Sequence, residues 1–421
     1  VLAWHDGLAP GHNRAADGTL EIGGMRADDL AADFGTPALV LDLHTLDRAL
    51  HAILAACGRY NIRVSYAAKA LLVTRLARRL ASRNVGIDVA SHGELITAER
   101  GGFGPERITL HGAAKSDDEL REAMRGRAGR VVIDSVDELR RLRDLGPMRT
   151  CDVLLRLNTG IEAHTHEFIR TAGDDSKFGI APHEEEEAFA LIDRQPLLRV
   201  RGVHAHIGSQ IFDAEPFVAN AQLLAAALKR LRERGFPAYV AVIGGGFGVP
   251  MHPEEPDVPI EIGALVDAIV AAVPDDIALE IEPGRAIVGP AGTSLYRVMA
   301  IKRFDRRTFV VVDGSMADNP RPALYGASHH VTAVRATNAP HHPVTLCGRS
   351  CENDELGSAA LPTDLAAGDL LAVCTTGAYT YSMASNYNRF PRPPIVAVER
   401  GQAELFARRE TDDDLLRADL D

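Results

Sequence analysis

No run of about 18 apolar residues occurs in the 421-residue chain, and no charged-then-apolar leader opens it. Neither a membrane span nor a secretory signal is expected. Positive charge is in short supply: 46 Lys and Arg stand against 58 Asp and Glu, for a formal net charge of −12. That sign repels nucleic acid and anionic membranes, so the expected partner is a small soluble ligand. Cysteines are few, odd in number and without a CxxC pair: Cys57, Cys151, Cys347, Cys351 and Cys374. A disulfide framework is disfavoured, and reduced thiols in a cytoplasmic protein are expected. No repeat of solenoid period is visible. The acidic runs Glu184–Glu187 and Asp412–Asp414 read as solvated faces or ends. What remains is ordinary globular material, 46% hydrophobic and 25% charged, long enough for two domains.

Short β-branched runs alternate with amphipathic stretches between residues 63 and 282, the pattern of repeated βα units around a parallel sheet. Eight strands are expected: Arg63–Ala67, Gly86–Ala90, Ile108–Leu110, Arg130–Ile133, Asp152–Leu157, Gly202–His206, Tyr239–Ile243 and Ile277–Glu282. Helices are expected between them, such as Asp117–Met124 and Ala219–Arg232. Eight such units match an α/β protein of the (β/α)₈ barrel type. After Gly289 the apolar runs, Thr308–Val312 and Leu370–Cys374 among them, are separated by Gly, Pro, Asn and Asp, as in an antiparallel β domain. Ala38–Asp42 is assigned to that domain too. The expected division is residues 1–42 packing with the β domain, 43–288 as barrel and 289–421 as β domain.

In such a barrel the working residues lie at the C-terminal strand ends, where the βα loops share one mouth. Reading those ends gives Lys69, Asp88 with Ser91, His111, Asp134, Asn158, His206 to Ser209, Gly244-Gly245-Gly246, and Glu282 to Arg285. A lysine at a strand end is ordinarily a solvated charge. Here Tyr66-Ala67-Ala68 sets small residues beside Lys69, leaving room for an aromatic aldehyde cofactor that a lysine binds as a Schiff base, as pyridoxal phosphate (PLP) does. The glycine triplet offers bare amides to an anion, though alone it could be a tight turn. With Gly284-Arg285 on the next strand it becomes a phosphate site on the last two strands. Glu282 could hold a pyridine nitrogen protonated.

His204 and His206 are two apart and share a strand face, which permits a metal reading. Later strand ends supply glycines and Glu-Pro-Gly-Arg rather than further ligands. Stacking of His206 on a flat ring is preferred, with His204 a satisfied core residue and no metal; His164-Thr165-His166 is read likewise. In the β domain, Cys351-Glu352 could donate a proton and hold an ammonium, against the alternative of a buried structural cysteine. Arg321 and Tyr325 suit a carboxylate, unless Asn319-Pro320-Arg321-Pro322 is a surface turn.

The ordered set Tyr66-Ala67-Ala68-Lys69-Ala70, Asp88-Val89-Ala90-Ser91-His92-Gly93-Glu94-Leu95, Ser176-Lys177-Phe178-Gly179, His206-Ile207-Gly208-Ser209-Gln210, Gly244-Gly245-Gly246-Phe247, Glu282-Pro283-Gly284-Arg285, Arg321-Pro322-Ala323-Leu324-Tyr325, Cys351-Glu352 and Gly377-Ala378-Tyr379 resembles the fold-type III PLP-dependent decarboxylases. The diaminopimelate decarboxylases are most similar within them. The resemblance implies that Lys69 carries PLP and that His206 stacks on its ring. It implies that Ser209, Gly244 to Gly246, Gly284 and Arg285 hold phosphate, that Glu282 meets the pyridine nitrogen, and that Tyr379 touches the cofactor. Arg285, Arg321 and Tyr325 would surround the substrate's distal carboxylate and Glu352 its distal ammonium. Cys351 would be the proton donor, lent to the partner's barrel in a homodimer with shared active sites. The implied reaction is decarboxylation of meso-2,6-diaminopimelate to L-lysine. The alternative is another amino acid handled by the same machinery, because Cys351-Glu352 runs into Asn353-Asp354-Glu355 where related sequences commonly carry Ser-x-Asp. A catalytically silent relative would lack Lys69 or Cys351, and a metal-dependent barrel hydrolase would carry stoichiometric zinc.

Overall fold

A computed structural model describes residues 2–146, 149–161, 176–255 and 261–420. His164-Thr165-His166 lies outside them. The chain divides into two compact units: His51–Gly248 with Ile260–Gly284, and Val1–Leu50 with Val249–Pro259 and Arg285–Asp421.

The first unit is built on a closed barrel of eight parallel strands: Arg63–Ala67, Gly86–Val89, Ile108–Leu110, Arg130–Ile133, Cys151–Arg156, Leu198–His204, Val240–Val242 and Ala278–Ile281. The last strand pairs with the first, Glu280 beside Arg63 and Ile281 beside Val64, which closes the ring. Gly86–Val89 and Ile108–Leu110 are buried at every position, as parallel strands covered on both faces should be. The sixth strand starts at Leu198, earlier than the expected Gly202, because Arg199 and Arg201 mask its pattern. Both arginines lean back onto Asp152 of the fifth strand, at 2.7 and 3.0 Å.

Serines start three of the covering helices. Ser91 accepts a bond from the Glu94 amide, Ser135 from the Glu138 amide, and Ser116 forms a reciprocal capping box with Glu119. Ser91, a strand-end residue, is thus used as a cap. Lys115 is buried and fully engaged, donating to Gly112 O, Val132 O and Glu138. It pins the loop that follows His111.

The second unit contains a nine-stranded sheet among the described residues. Its long strand Gly292–Arg303 pairs antiparallel with Thr308–Val312, Leu370–Cys374 and Ala38–Asp42. The N-terminal segment therefore enters the sheet as a central strand. Ala38–Asp42 then pairs parallel with Ile395–Glu399, and Thr308–Val312 parallel with His341–Cys347. The sheet is mixed rather than wholly antiparallel, because these neighbours are distant in sequence and no hairpin dictates their direction. Its core gathers Tyr296, Val298, Val310, Val312, Leu346 and Leu371. Among the described residues no helix is long and apolar enough to cross a membrane.

Candidate active site

The C-terminal end of the barrel concentrates buried charge. Glu282 follows the last strand, and its amide donates to Gly244 O at 2.8 Å. Its Oε2 lies 2.9 Å from His204 Nε2, and its Oε1 lies 3.3 Å from His111 Nε2. His111 Nε2 is also 3.6 Å from Asp88 Oδ1. The His111 and His204 rings meet edge to face at 5.1 Å. Deeper in the barrel Arg130 clamps both oxygens of Glu280; at the strand ends Arg156 reaches Asp134 at 3.0 Å. Such pairs stabilise little on net but are costly to break.

Burial opposes ionisation of Glu282, but His204 and His111 outweigh it and hold its carboxyl well below the usual range. Burial likewise opposes a proton on His111, yet Glu282 and Asp88 lift it to about 9. Asp88, buried and facing Glu282, is pushed up to about 6. Burial keeps His204 neutral, lowered to about 4. His206 is lowered well below its ordinary value by burial and then by the Lys69 and Arg156 charges. The site therefore holds one charged imidazole against two carboxylates. His111, His204 and Glu282 place their ligand-type atoms within 4.8 Å of one another.

Beside this cluster lies a cradle of bare backbone. The Gly245 amide donates to His206 Nδ1 at 3.3 Å, which fixes the ring. Gly244 and Gly246 sit at φ +80° and +104°, conformations that favour glycine. A Cβ on Gly245 would lie 2.2 Å from Glu282 O, and one on Gly246 2.3 Å from Gly208 O. Lys69 sits in a single turn, Ala68–Ala70, directly after the first strand. It is exposed, so the protein's own atoms leave its amine open toward the mouth, where its charge acts on His206 and Glu94.

In the second unit Arg285 and Arg321 share one aromatic face, with guanidinium carbons 4.8 and 5.6 Å from the centre of the Tyr379 ring. Arg321 also lies 5.1 Å from the Tyr325 ring. Both arginines are buried. Burial, then the neighbouring Arg321, lowers Arg285 to about 10. The Arg321 Nε has no hydrogen-bond partner among the described residues. Tyr379 is held at φ +61°, a conformation rare for an aromatic residue. Two buried cations on one ring make a site for an anion.

Residues 43–289 match the family described as pyridoxal-dependent decarboxylase, pyridoxal binding domain. The chain is 41% identical to the diaminopimelate decarboxylase of Actinosynnema pretiosum subsp. auranticum, over 99% of this chain and 96% of that one. Against the Bacillus subtilis (strain 168) enzyme of the same name it is 40% identical, covering 96% and 95%. It belongs to the diaminopimelate decarboxylase family.

Solved members of the family agree. The M. jannaschii diaminopimelate decarboxylase in co-complex with L-lysine superposes with a TM-score of 0.89 at 31% identity, covering 97% of each chain. The Helicobacter pylori diaminopimelate decarboxylase complexed with L-lysine gives 0.86 at 31%, covering 93% of this chain and 98% of that one. A lysine/ornithine decarboxylase from Vibrio vulnificus, at 24% identity and a TM-score of 0.76, shares the fold.

The cofactor of this family is pyridoxal phosphate, and the residues present fit it. Glu282 Oε1 is a buried carboxylate oxygen with no aligned donor, the glycine triplet is an anion cradle that any side chain would fill, and Lys69 supplies a reachable amine. The barrel brings together Lys69, Asp88, His206, Gly244 to Gly246, Glu282 and Gly284, with Ser209 on the loop after His206. The second unit brings together Arg285, Arg321, Tyr325 and Tyr379. Arg321 is buried in the short helix Arg321–Tyr325 rather than in a surface turn. Cys351 and Glu352 are exposed in that unit, which removes the buried-cysteine alternative. The Cys351 amide donates to Asn388 Oδ1 at 3.0 Å, and Tyr387 bonds Glu352.

His204 is a buried core histidine, and its partner is Glu282 at 2.9 Å; spacing alone could not show what stood opposite. Asp354, between the departing Asn353 and Glu355, is buried and accepts the Met316 amide at 2.8 Å, so it holds a loop. The Arg130–Glu280 pair is a site feature that periodicity does not report; its signal is the charge inside the β-branched runs Arg130-Val131-Val132-Ile133 and Ala278-Leu279-Glu280-Ile281.

Proposed function

We propose that this chain catalyses PLP-dependent decarboxylation of meso-2,6-diaminopimelate to CO₂ and L-lysine, the last step of lysine biosynthesis. In this reading residues 43–288 bind the cofactor, and the active unit is a cytoplasmic homodimer with shared active sites that engages neither nucleic acid nor membrane. The observation that carries the substrate assignment is the pair of buried guanidiniums on Tyr379. A substrate with a second carboxylate neutralises them, whereas lysine, ornithine or arginine brings no second carboxylate to do so. Names and bound L-lysine among the solved relatives support the same class. The excess of acidic residues and the unpaired cysteines support the remaining assignments.

When bound, PLP supplies a sink for the electron pair left at Cα as CO₂ departs. Lys69 would hold the cofactor through its amine. Glu282, an anion within 3.3 Å of two imidazoles, keeps the pyridine nitrogen protonated. His206, oriented by the Gly245 amide, would stack on the cofactor ring. Ser209, Gly244 to Gly246, Gly284 and Arg285 would take the phosphate, and Asp88 completes the charge around Glu282. Arg285, Arg321, Tyr325 and Tyr379 orient the distal carboxylate, and the partner subunit's equivalent of Glu352 takes the distal ammonium. Cys351, exposed for exchange between subunits, delivers the proton to Cα.

The deciding assay measures CO₂ release from meso-diaminopimelate, L-lysine, L-ornithine and L-arginine side by side. Turnover of meso-diaminopimelate is expected to dominate; brisk release from another of the four with none from meso-diaminopimelate would refute the substrate. Cys351→Ala is expected to lower kcat by roughly 10²- to 10⁴-fold, the usual contribution of a positioned acid, with the cofactor's absorbance unchanged. Mixing Cys351→Ala with Lys69→Ala protein should restore activity that neither has alone. An unchanged rate in Cys351→Ala would remove the thiol from its role.

A further inference from the structure

We propose that His111 is a positioning residue: it holds one proton between Asp88 and Glu282, and so keeps Glu282 an anion toward the cofactor's pyridine nitrogen. The inference rests on the reading of Glu282 given above and adds a group to which that reading assigns nothing. Three strand ends build the arrangement. Asp88 comes from the second, His111 follows the third, and Glu282 follows the eighth. His111 Nε2 stands 3.3 Å from Glu282 Oε1 and 3.6 Å from Asp88 Oδ1. Neither contact has hydrogen-bond alignment, so the link to both carboxylates is one of charge at close range.

Two buried carboxylates this close stay ionised together only with a cation beside them. The other candidates are committed. Arg130 is clamped on Glu280, and Arg156 pairs with Asp134 at 3.0 Å. His204 already meets Glu282 Oε2 at 2.9 Å, and burial keeps it neutral. His206 is neutral and takes the Gly245 amide on Nδ1. Lys69 is exposed, and in the loaded enzyme its nitrogen is covalently engaged. His111 remains. Its ring is braced edge to face by His204, and Lys115 fixes its loop from below through Gly112 O at 2.9 Å.

A charge role and a structural role separate in a double-mutant cycle. His111→Gln keeps a polar planar side chain but removes the cation, leaving Asp88 and Glu282 to repel each other. Equilibrium dialysis of PLP at pH 8 is expected to show a Kd raised at least about tenfold. His111→Gln with Asp88→Asn removes one charge of each sign, and the Kd should fall at least about threefold below that of His111→Gln alone. Losses that simply accumulate in the double variant would overturn the proposal. In cofactor-free wild-type protein, ¹⁵N spectra of His111 should show both ring nitrogens protonated at pH 7 to 8; a neutral ring there would also overturn it, whether or not the variants fold. If Glu282→Gln impairs cofactor binding or turnover while His111→Gln does not, His111 loses its role and the reading of Glu282 stands. If Glu282→Gln changes neither, the reading of Glu282 itself falls.

Discussion

Lys69→Ala is expected to abolish the covalent cofactor adduct and to lower decarboxylation by roughly 10³-fold or more, the scale on which loss of a covalent catalytic group is felt. Few residues at the barrel mouth could replace it. Lys115 is buried against Gly112 O, Val132 O and Glu138, and Arg130 and Arg156 are guanidiniums already paired with carboxylates. Lys69 combines an exposed primary amine with a position one turn beyond the first strand and a charge felt by His206. Borohydride reduction followed by peptide mass analysis should label the wild type at Lys69 and leave the variant unlabelled. A fully active, labelled variant would contradict the assignment. Fold is not at stake, since an exposed lysine replaced by alanine removes no core contact.

The barrel was legible because its strands are buried on both faces and so appear as unbroken β-branched runs, and because the strand-end rule then points to the mouth without reference to which residues touch. Ile108–Leu110, Arg130–Ile133 and Thr308–Val312 fall where the runs predict them. Strand Leu198–His204 was obscured by Arg199 and Arg201, whose partner Asp152 lies on another strand. The same blindness to cross-barrel pairing hid the bond of His204 to Glu282 and the commitment of Arg130 to Glu280. Periodicity reports which way a side chain points; it carries nothing about what faces it 78 or 150 residues away. The parallel pairings of the β sheet escaped for the same reason. Ala38–Asp42 has the composition of a strand, but only the fold sets Ile395–Glu399 alongside it.

Glu282→Gln tests the electrostatic centre directly, because it preserves shape and removes one charge. Turnover is expected to fall by roughly 10²- to 10³-fold, the usual cost of losing one preorganised partner to developing charge. The cofactor should remain attached through Lys69, so its absorbance persists while catalysis is lost. A second consequence appears without any cofactor. In the wild type Glu282 and Asp88 raise His111 from 6.5 to about 9. A group whose folded value is raised contributes its full stabilisation below the unfolded value, and loses it as pH climbs to the folded one. The wild-type protein should therefore lose stability between about pH 6.5 and 9, by on the order of 3 kcal/mol at most. In the folded state Asp88, pushed up to about 6, is largely ionised when that window opens, and His204, lowered to about 4, is neutral throughout it. With glutamine at 282 the anion nearest His111 is gone, the imidazole releases its proton nearer its ordinary value, and the slope across that window should flatten. Thermal melts of the cofactor-free wild type and Glu282→Gln at half-unit pH steps read the difference; parallel curves from pH 6.5 to 9 would show that Glu282 does not govern the charge on His111.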